Sequence, residues 1–340
     1  MNDSAGTSTT GKLIAAAIRD GDEAAFAAAV NQHRRRLHVH CYQMLGSVQD
    51  AEDLVQETFL KAWSKRETFE GRSTLRGWLY RIATNACLDV IDREGRRVKS
   101  AESEAPKVLA AEVPWIQPYP DALLEGIVSE DPGPEESTIA HETIALAYVT
   151  AIQHLSPQAR TVLILRDVLG WPAKDCAELL EVSLATANSA LQRARATMQE
   201  LFPTDDAEWP ADANPDRAER ELIDRFIAAT QDGDAEAFVE MMTEDATFSM
   251  PPEPFSVVGN RACVDAWVEG GFGGEDWGET TAIPTRANGQ LALLNYIKRP
   301  GADSFVPMAI DVLRLREGKV AEIVTFPAEM FPLFDAPASL

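Results

Sequence analysis

Thr186, Ser189, Gln192 and Arg193 lie on the outward side of a helix capped by Ser183 in LEVSLATANSALQRARA, which gathers hydroxyls, an amide and a guanidinium there. Such groups reach base edges and phosphates in a DNA major groove. A second set, Tyr80, Arg81, Thr84 and Asn85 in STLRGWLYRIATNACLDVIDREGRR, shares one face and is followed by a basic end at Arg93, Arg96, Arg97 and Lys99. An aromatic ring, an amide and cations at close quarters can hold single-stranded DNA by stacking, base-edge hydrogen bonds and phosphate pairing. In a third stretch, QDAEDLVQETFLKAW, Asp53, Gln56, Glu57 and Leu60 set one apolar residue among polar ones. That face suits a protein partner, although on periodicity alone a solvated surface is the better reading.

Each set needs a helix with a buried side. Ala51, Leu54, Val55, Ala62 and Trp63 supply one for the third set, and Leu75, Trp78, Leu79, Ile82, Ala83 and Ala86 one for the second. For the first, Ser156-Pro157 caps a supporting helix through Leu169, and Pro172 starts a short helix with Ala173, Cys176, Ala177 and Leu180 inward. A turn at Glu181 to Ser183 then leads into a helix packed through Ala187, Ala190, Leu191, Ala194 and Met198. Short helix, tight turn and small-residue packing read as a helix-turn-helix.

The chain carries a formal net charge of −23, which would repel DNA if it were spread evenly. It is not: residues 1–100 sum to +2, 101–136 to −8, 137–201 to −1 and 202–340 to −16. Two near-neutral helical segments are thus separated by an acidic, Pro-rich connector and followed, after a linker at 202–215, by a strongly acidic unit. The boundaries read as 20–99, 100–136, 137–201, 202–215 and 216–334. No apolar run approaches the roughly 20 residues of a membrane helix, and the N-terminus lacks signal-peptide blocks, which points to the cytoplasm and to no membrane partner. Cys41, Cys87, Cys176 and Cys263 form no C-x-x-C pair and read as buried free thiols. HRRRLHVHC offers His33, His38, His40 and Cys41, but an H-x-H spacing turns two rings to different sides of a helix; the stretch reads as a basic solvated face, and no metal or cofactor is assigned.

The last unit changes character. Helices at about Arg217 to Thr230 and Ala235 to Met242 precede alternating stretches, ATFSM, QLALLNYI, AIDVLRLR and KVAEIVTF, the last two forming a hairpin at Glu317-Gly318. RDGDEAAF (19–26) and QDGDAEAF (231–238) are alike because each is an acidic helix start before an Ala/Phe face, which is convergent capping rather than a repeat.

DAEDLVQETFLKAW with FEGRSTLRGWLYRIATNACLDVIDR resembles region 2 of the extracytoplasmic-function sigma factors of the sigma-70 family, and LSPQARTVLILRDVLGWPAKDCAELLEVSLATANSALQRARA resembles their region 4. The final unit is similar to the SnoaL-like α+β cone that a subset of them carries, and VPWIQPYPDALLEGI in the connector is typical of that subset. The resemblance implies two all-α sigma domains plus a C-terminal α+β cone, and a factor that directs core RNA polymerase to promoters. It implies that Asp53, Gln56, Glu57 and Leu60 meet the β′ clamp helices and that the β flap is a further docking point. Tyr80, Arg81, Thr84, Asn85, Arg93, Arg96 and Arg97 would serve the −10 element, and Ser183, Thr186, Asn188, Ser189, Gln192, Arg193 and Arg195 the −35 element. Asn85 matches the asparagine near which an unstacked −10 base is captured, and the acidic connector would thread the channel later taken by RNA.

The sequence departs from relatives at Asn188 and Ala190, where many place Lys or Arg, so −35 binding should be weak and its salt slope shallow. The cone implies a pocket with Phe248, Met250, Trp267, Trp277, Leu293 and Tyr296 as candidate lining, most of them better read as packed cone interior, and with Asp265, Asp303 or Asp311 able to pair with Tyr296 if the unit were catalytic. A regulatory role fits its acidity better, since a charge of −16 keeps the unit off DNA and suits it to press on basic surfaces of regions 2 and 4 or on polymerase; a small-molecule ligand for the pocket is left open, and the chain is not read as an enzyme. Two alternatives stand beside this: a free-standing helix-turn-helix regulator with a ligand domain, and a SnoaL-like isomerase or hydrolase tethered to a DNA-binding module.

Overall fold

Side-chain caps set the helix starts in the computed structural model, which describes residues 21–69, 74–96, 108–124, 143–201 and 217–340. Asp22 accepts from the Ala25 amide at 2.9 Å and opens α1 (Glu23–Asn31). α2 (Arg34–Leu45) ends at Gly46 in the left-handed region. The Ser47 hydroxyl opens α3 (Val48–Ser64) and the Thr74 hydroxyl opens α4 (Leu75–Glu94), each accepting from the amide three residues on. The described residues gather into two compact units, one drawn from Met1–Arg97 and Leu155–Thr197, the other from Val98–His154 and Met198–Leu340. α5 (Leu146–Gln153), which the sequence groups with the second helical segment, belongs to the second unit.

In the first unit α2, α3 and α4 pack around Leu37, Cys41, Leu54, Val55, Leu79 and Ala83, all buried. α6 (Pro157–Leu163) lies against α2 and α4, and its Arg160, 1% exposed, donates to the Met44 carbonyl at 2.5 Å near the end of α2. A buried guanidinium aimed at the carbonyl end of a helix meets partial negative charge there. The supporting helix does not run regularly to Leu169 as the sequence suggests: from Ile164 to Val168 it widens into a π-turn. α7 (Ala173–Leu179) and α8 (Leu184–Leu201) follow, with Glu181 at φ 54 in the turn between them.

The second unit is built on a six-stranded sheet. Its strands are β1 (Met242–Ser249), β2 (Ser256–Val258), β3 (Glu279–Ala287), β4 (Gln290–Lys298), β5 (Val306–Arg316) and β6 (Lys319–Pro327), in the order β2-β1-β6-β5-β4-β3. β1 and β6 are parallel and all other pairs antiparallel. Two hairpins turn at Asn288-Gly289 and Glu317-Gly318, with positive φ at both central residues, the backbone that matches strand twist. α9 (Arg217–Asp232), α10 (Ala235–Met241) and α11 (Asn260–Glu269) cover one face, where Phe226, Phe238, Phe248, Leu291, Leu313 and Ile323 form the core. Asp234 caps α10 through the Ala237 amide at 3.0 Å, so the two acidic starts that look like a repeat are indeed separate caps. α11, β2 and β3 do not follow from the sequence pattern. β3 contains Pro284, which an edge strand tolerates because one side of it needs no ladder bond.

Candidate nucleic-acid interface

On α8 the polar stripe stands free of the protein. Thr186, Asn188, Ser189, Gln192 and Arg193 are exposed, while Ala187, Ala190, Leu191 and Ala194 are buried. Ala190 is therefore an inner position and not one of the outward sites at which a missing cation matters. Ser183 is exposed but occupied as the N-cap, accepting from the Thr186 amide at 3.1 Å and lying 2.8 Å from its hydroxyl. Arg195 is held by both oxygens of Asp167 at 2.8 and 2.6 Å, and that hydrogen-bonded pairing raises its pKa. A phosphate would have to displace Asp167 to reach it.

On α4 the predicted face divides. Arg81, Asn85 and Arg93 are exposed. Tyr80 and Thr84 instead face α2: the Tyr80 ring lies 5.0 Å from that of His40 and its hydroxyl donates to the Arg36 carbonyl at 3.4 Å, while Thr84 Oγ1 is 2.8 Å from His40 Nε2. Burial pushes the Tyr80 phenol up and pulls His40 down to about 3. Neither Tyr80 nor Thr84 can touch DNA without leaving the core, which corrects that part of the reading. Arg96 is engaged with Asp50 at 2.6 Å and Glu94 at 2.7 Å, so it is a clamp on the start of α3 rather than a loose cation; Arg97 lies outside the described residues. Trp78 stacks on Phe69 at 4.9 Å between centroids.

The histidine-rich stretch is also corrected. Arg35 and Arg36 are exposed, but His38 and His40 are buried and turn to different partners, Glu52 at 3.9 Å and Thr84. Burial lowers the His38 pKa against the opposing pull of Glu52. All four cysteines are buried free thiols.

α3 offers Asp53, Gln56, Glu57 and Leu60 on one exposed face, with Leu60 71% exposed. Gln56 donates to Glu52 at 3.1 Å and Glu57 pairs with Lys61 at 2.7 Å, which holds the charged rim in place along the helix. The opposite side, Ala51, Leu54, Val55, Thr58 and Ala62, is buried.

In the second unit, Phe248 and Leu293 face the helices, where Trp267 packs edge-on to Phe248 at 5.3 Å and Trp277 edge-on to Phe272. Met250 lies beyond the end of β1 and is exposed. Tyr296 cannot share this lining, because it is an odd number of residues from Leu293 on one strand and so points through the other face of the sheet. There its ring meets Phe331 and its hydroxyl donates to the Pro337 carbonyl at 2.9 Å. Asp265 and Asp303 are exposed and Asp311 sits on the helix-facing side, so none of the three carboxylates pairs with Tyr296.

Two polar arrangements escaped the sequence reading. Asp311 accepts from Thr325 Oγ1 at 2.5 Å and from Asn295 Nδ2 at 2.8 Å. The other is at the β3–β4 hairpin, where buried Asn288 accepts from the Tyr119 amide at 2.8 Å and donates to the Ile144 carbonyl at 2.7 Å. Around it Asp121 accepts from the Gly289 amide, Gln290 accepts from the Leu146 amide, and Pro120 bridges to Ala287. The Asn-Gly dipeptide was a legible hairpin signal; that its side chain would hold the connector was not.

Comparison with known proteins gives three families in chain order: Sigma-70 region 2 at residues 29–97, Sigma-70 region 4 at 145–198 and the SnoaL-like domain at 223–323. The ECF RNA polymerase sigma factor SigG of Mycobacterium tuberculosis is 38% identical over 333 residues, covering 95% of this chain and 86% of SigG. SigJ of the same organism is 26% identical over 85% of this chain and 88% of its own length. The crystal structure of SigJ superposes with a TM-score of 0.57 at 23% identity, covering 91% and 98% of the two chains, which speaks for the shared fold. A common order of helical units and mixed sheet, along nearly the full length of a relative, favours the sigma-factor reading over both alternatives: this chain belongs to the extracytoplasmic-function RNA polymerase sigma factors of the sigma-70 family, with a SnoaL-like domain behind regions 2 and 4.

Proposed function

We propose that α3 docks this sigma factor on the clamp helices of polymerase β′, that α4 reads the −10 element through Asn85, Arg81 and Arg93, and that α8, brought in at the β flap, reads the −35 element. The free face of α3 carries this reading: a 71% exposed leucine ringed by Asp53, Gln56 and Glu57 has the make-up of an interface anchor with a polar rim. Unstacking a −10 base costs a few kcal/mol, which contacts from Asn85 and nearby cations must offset. Among the described residues of α8 only Arg193 is a cation outside an ion pair, so duplex binding by the isolated protein is weak and depends on delivery by polymerase. Run-off transcription with purified core tests this. Wild type should give promoter-dependent transcripts and Leu60→Asp should lose core association with helicity intact; failure of wild type to bind core in a pull-down overturns the assignment.

The SnoaL-like unit is read as regulatory rather than catalytic, acting in the cytoplasm on the sigma factor to which it is joined, with a small molecule as its signal. What supports this is the hold of the Asn288-Gly289 hairpin on connector residues Tyr119 to Asp121. A connector fixed there is withheld from the polymerase channel that the family resemblance gives it, so release of the hairpin should raise activity. Asn288→Gly keeps the left-handed backbone and the Asn288 amide's bond to the Tyr119 carbonyl but deletes both side-chain bonds. Unchanged transcription and core affinity in that variant would refute the regulatory reading.

A further inference from the structure

α2 to α4, within the match to region 2, and α6 and α7, within the match to region 4, share one compact unit. Where they meet, Arg160 of α6 is 1% exposed, its Nη1 donating to the Met44 carbonyl of α2 at 2.5 Å and its Nη2 to the Leu155 carbonyl at 3.4 Å. The Thr161 hydroxyl lies 3.8 Å from Met44 Sδ, and the Trp171 ring is tilted against that of Tyr80 on α4 at 6.2 Å between centroids. Beyond this seat the helix-turn-helix has an apolar cluster of its own, in which Leu165, Cys176 and Leu179 are buried and Leu169, Trp171 and Leu180 pack around them. The π-turn at Ile164–Val168 stands between the docked turn of α6 and that cluster, where the regular helical ladder is already interrupted. A segment with its own core, reached through a break in its supporting helix, can leave region 2 as a body.

Two lengths require it to leave. The −10 and −35 elements lie about 25 base steps apart, which is roughly 85 Å of duplex at about 3.4 Å per step. A compact body of this chain length is only about 35 Å across. α4 and α8 therefore cannot occupy both elements while Arg160 stays seated. The seat suits release, because burial pulls the Arg160 pKa down to about 9 against the opposing effect of Cys87, and hydration recovers that desolvation cost once the guanidinium is freed. We propose that Arg160 is a latch: seated in region 2 it holds region 4 in a closed state too short to span a promoter, and core polymerase opens it by binding the open state in preference. This rests on the assignment of α4 and α8 to the two promoter elements and adds a step that precedes their joint engagement.

The test uses the full chain with Glu67→Cys and Lys174→Cys, at exposed sites in region 2 and region 4, labelled with a fluorescent donor and acceptor; the four native thiols are buried and escape the label. The free protein should show high energy transfer, and saturating core polymerase should lower it. Arg160→Ala, checked for a native circular dichroism spectrum, should lower transfer in the free protein. It should also tighten core binding about tenfold, the gain expected when a closed state that masks all but roughly a tenth of the binding-competent chains is removed. Arg160→Lys keeps the charge but not the fork that serves two carbonyls, so it should fall between, and it replaces the alanine variant if that one does not fold. Equal transfer in free wild type and variant overturns the latch, as does transfer that core binding leaves unchanged. A wild type that fails to bind core refutes the promoter-factor reading, while the comparison of the free proteins still decides the latch.

Discussion

α4 and α8 both carry polar residues that the sequence directs at DNA, yet only α8 presents nearly all of them to solvent. α8 buries one stripe of small residues, and everything off that stripe is surface. α4 is packed by α2, α3 and α6, so more than one side of its circumference is interior and Tyr80 and Thr84 fall inside. A helical period identifies an apolar stripe; how many neighbours a helix has decides whether polar residues beside it are also core.

Substitution can break or sharpen this contrast. Tyr80→Ala on α4 should cost about 3–5 kcal/mol of stability in chemical denaturation, the loss typical of a buried aromatic ring; a variant of native stability but defective promoter opening would return Tyr80 to the DNA-contact set. Next comes acid sensitivity. His40 titrates at about 3 in the folded chain against 6.5 for an unburied imidazole, so between those values the unfolded chain binds a proton that the folded one refuses. Its contribution is whole above about pH 6.5 and falls by up to about 1.4 kcal/mol per unit as pH drops toward 3. His40→Gln should flatten the pH dependence of unfolding by nearly one proton, and an unaltered slope would show that His40 is protonated in the native state.

Thr84→Val keeps the shape of the side chain but strands His40 Nε2, for about 1–3 kcal/mol in stability with no change in −10 affinity measured on holoenzyme. On α8 the effects should reverse in kind. Gln192→Ala should leave unfolding within about 0.5 kcal/mol of wild type while weakening −35 recognition by holoenzyme by about 1–3 kcal/mol. Arg195→Ala should be the smallest change, under about 1 kcal/mol in stability, because an exposed pair with Asp167 is all that is lost. A large loss of −35 affinity in that variant would mean that phosphate displaces Asp167 in the complex.

Much of the molecule was legible because local chemistry wrote it. Ser156 and Asp234 are caps marked by side-chain chemistry alone, and each opens a helix. The Glu317-Gly318 turn and the stripes of α3 and α8 follow from φ preference and period. β3 was illegible because its proline and weak alternation break the strand pattern, although the Asn288-Gly289 turn joins it directly to β4.

By itself the sequence determined which faces are apolar, where helices and turns begin, how charge is divided along the chain and, through two linked motifs in order, the family. Tertiary structure alone decided that Tyr80, Thr84 and His40 are interior, that Tyr296 and Asp311 look to opposite sides of one sheet, and that Asn288 grips the connector 169 residues away from Tyr119. The reason is physical: caps, turns and periods are satisfied within a few residues, whereas the burial of a polar group depends on which distant strand or helix arrives to complete its hydrogen bonds.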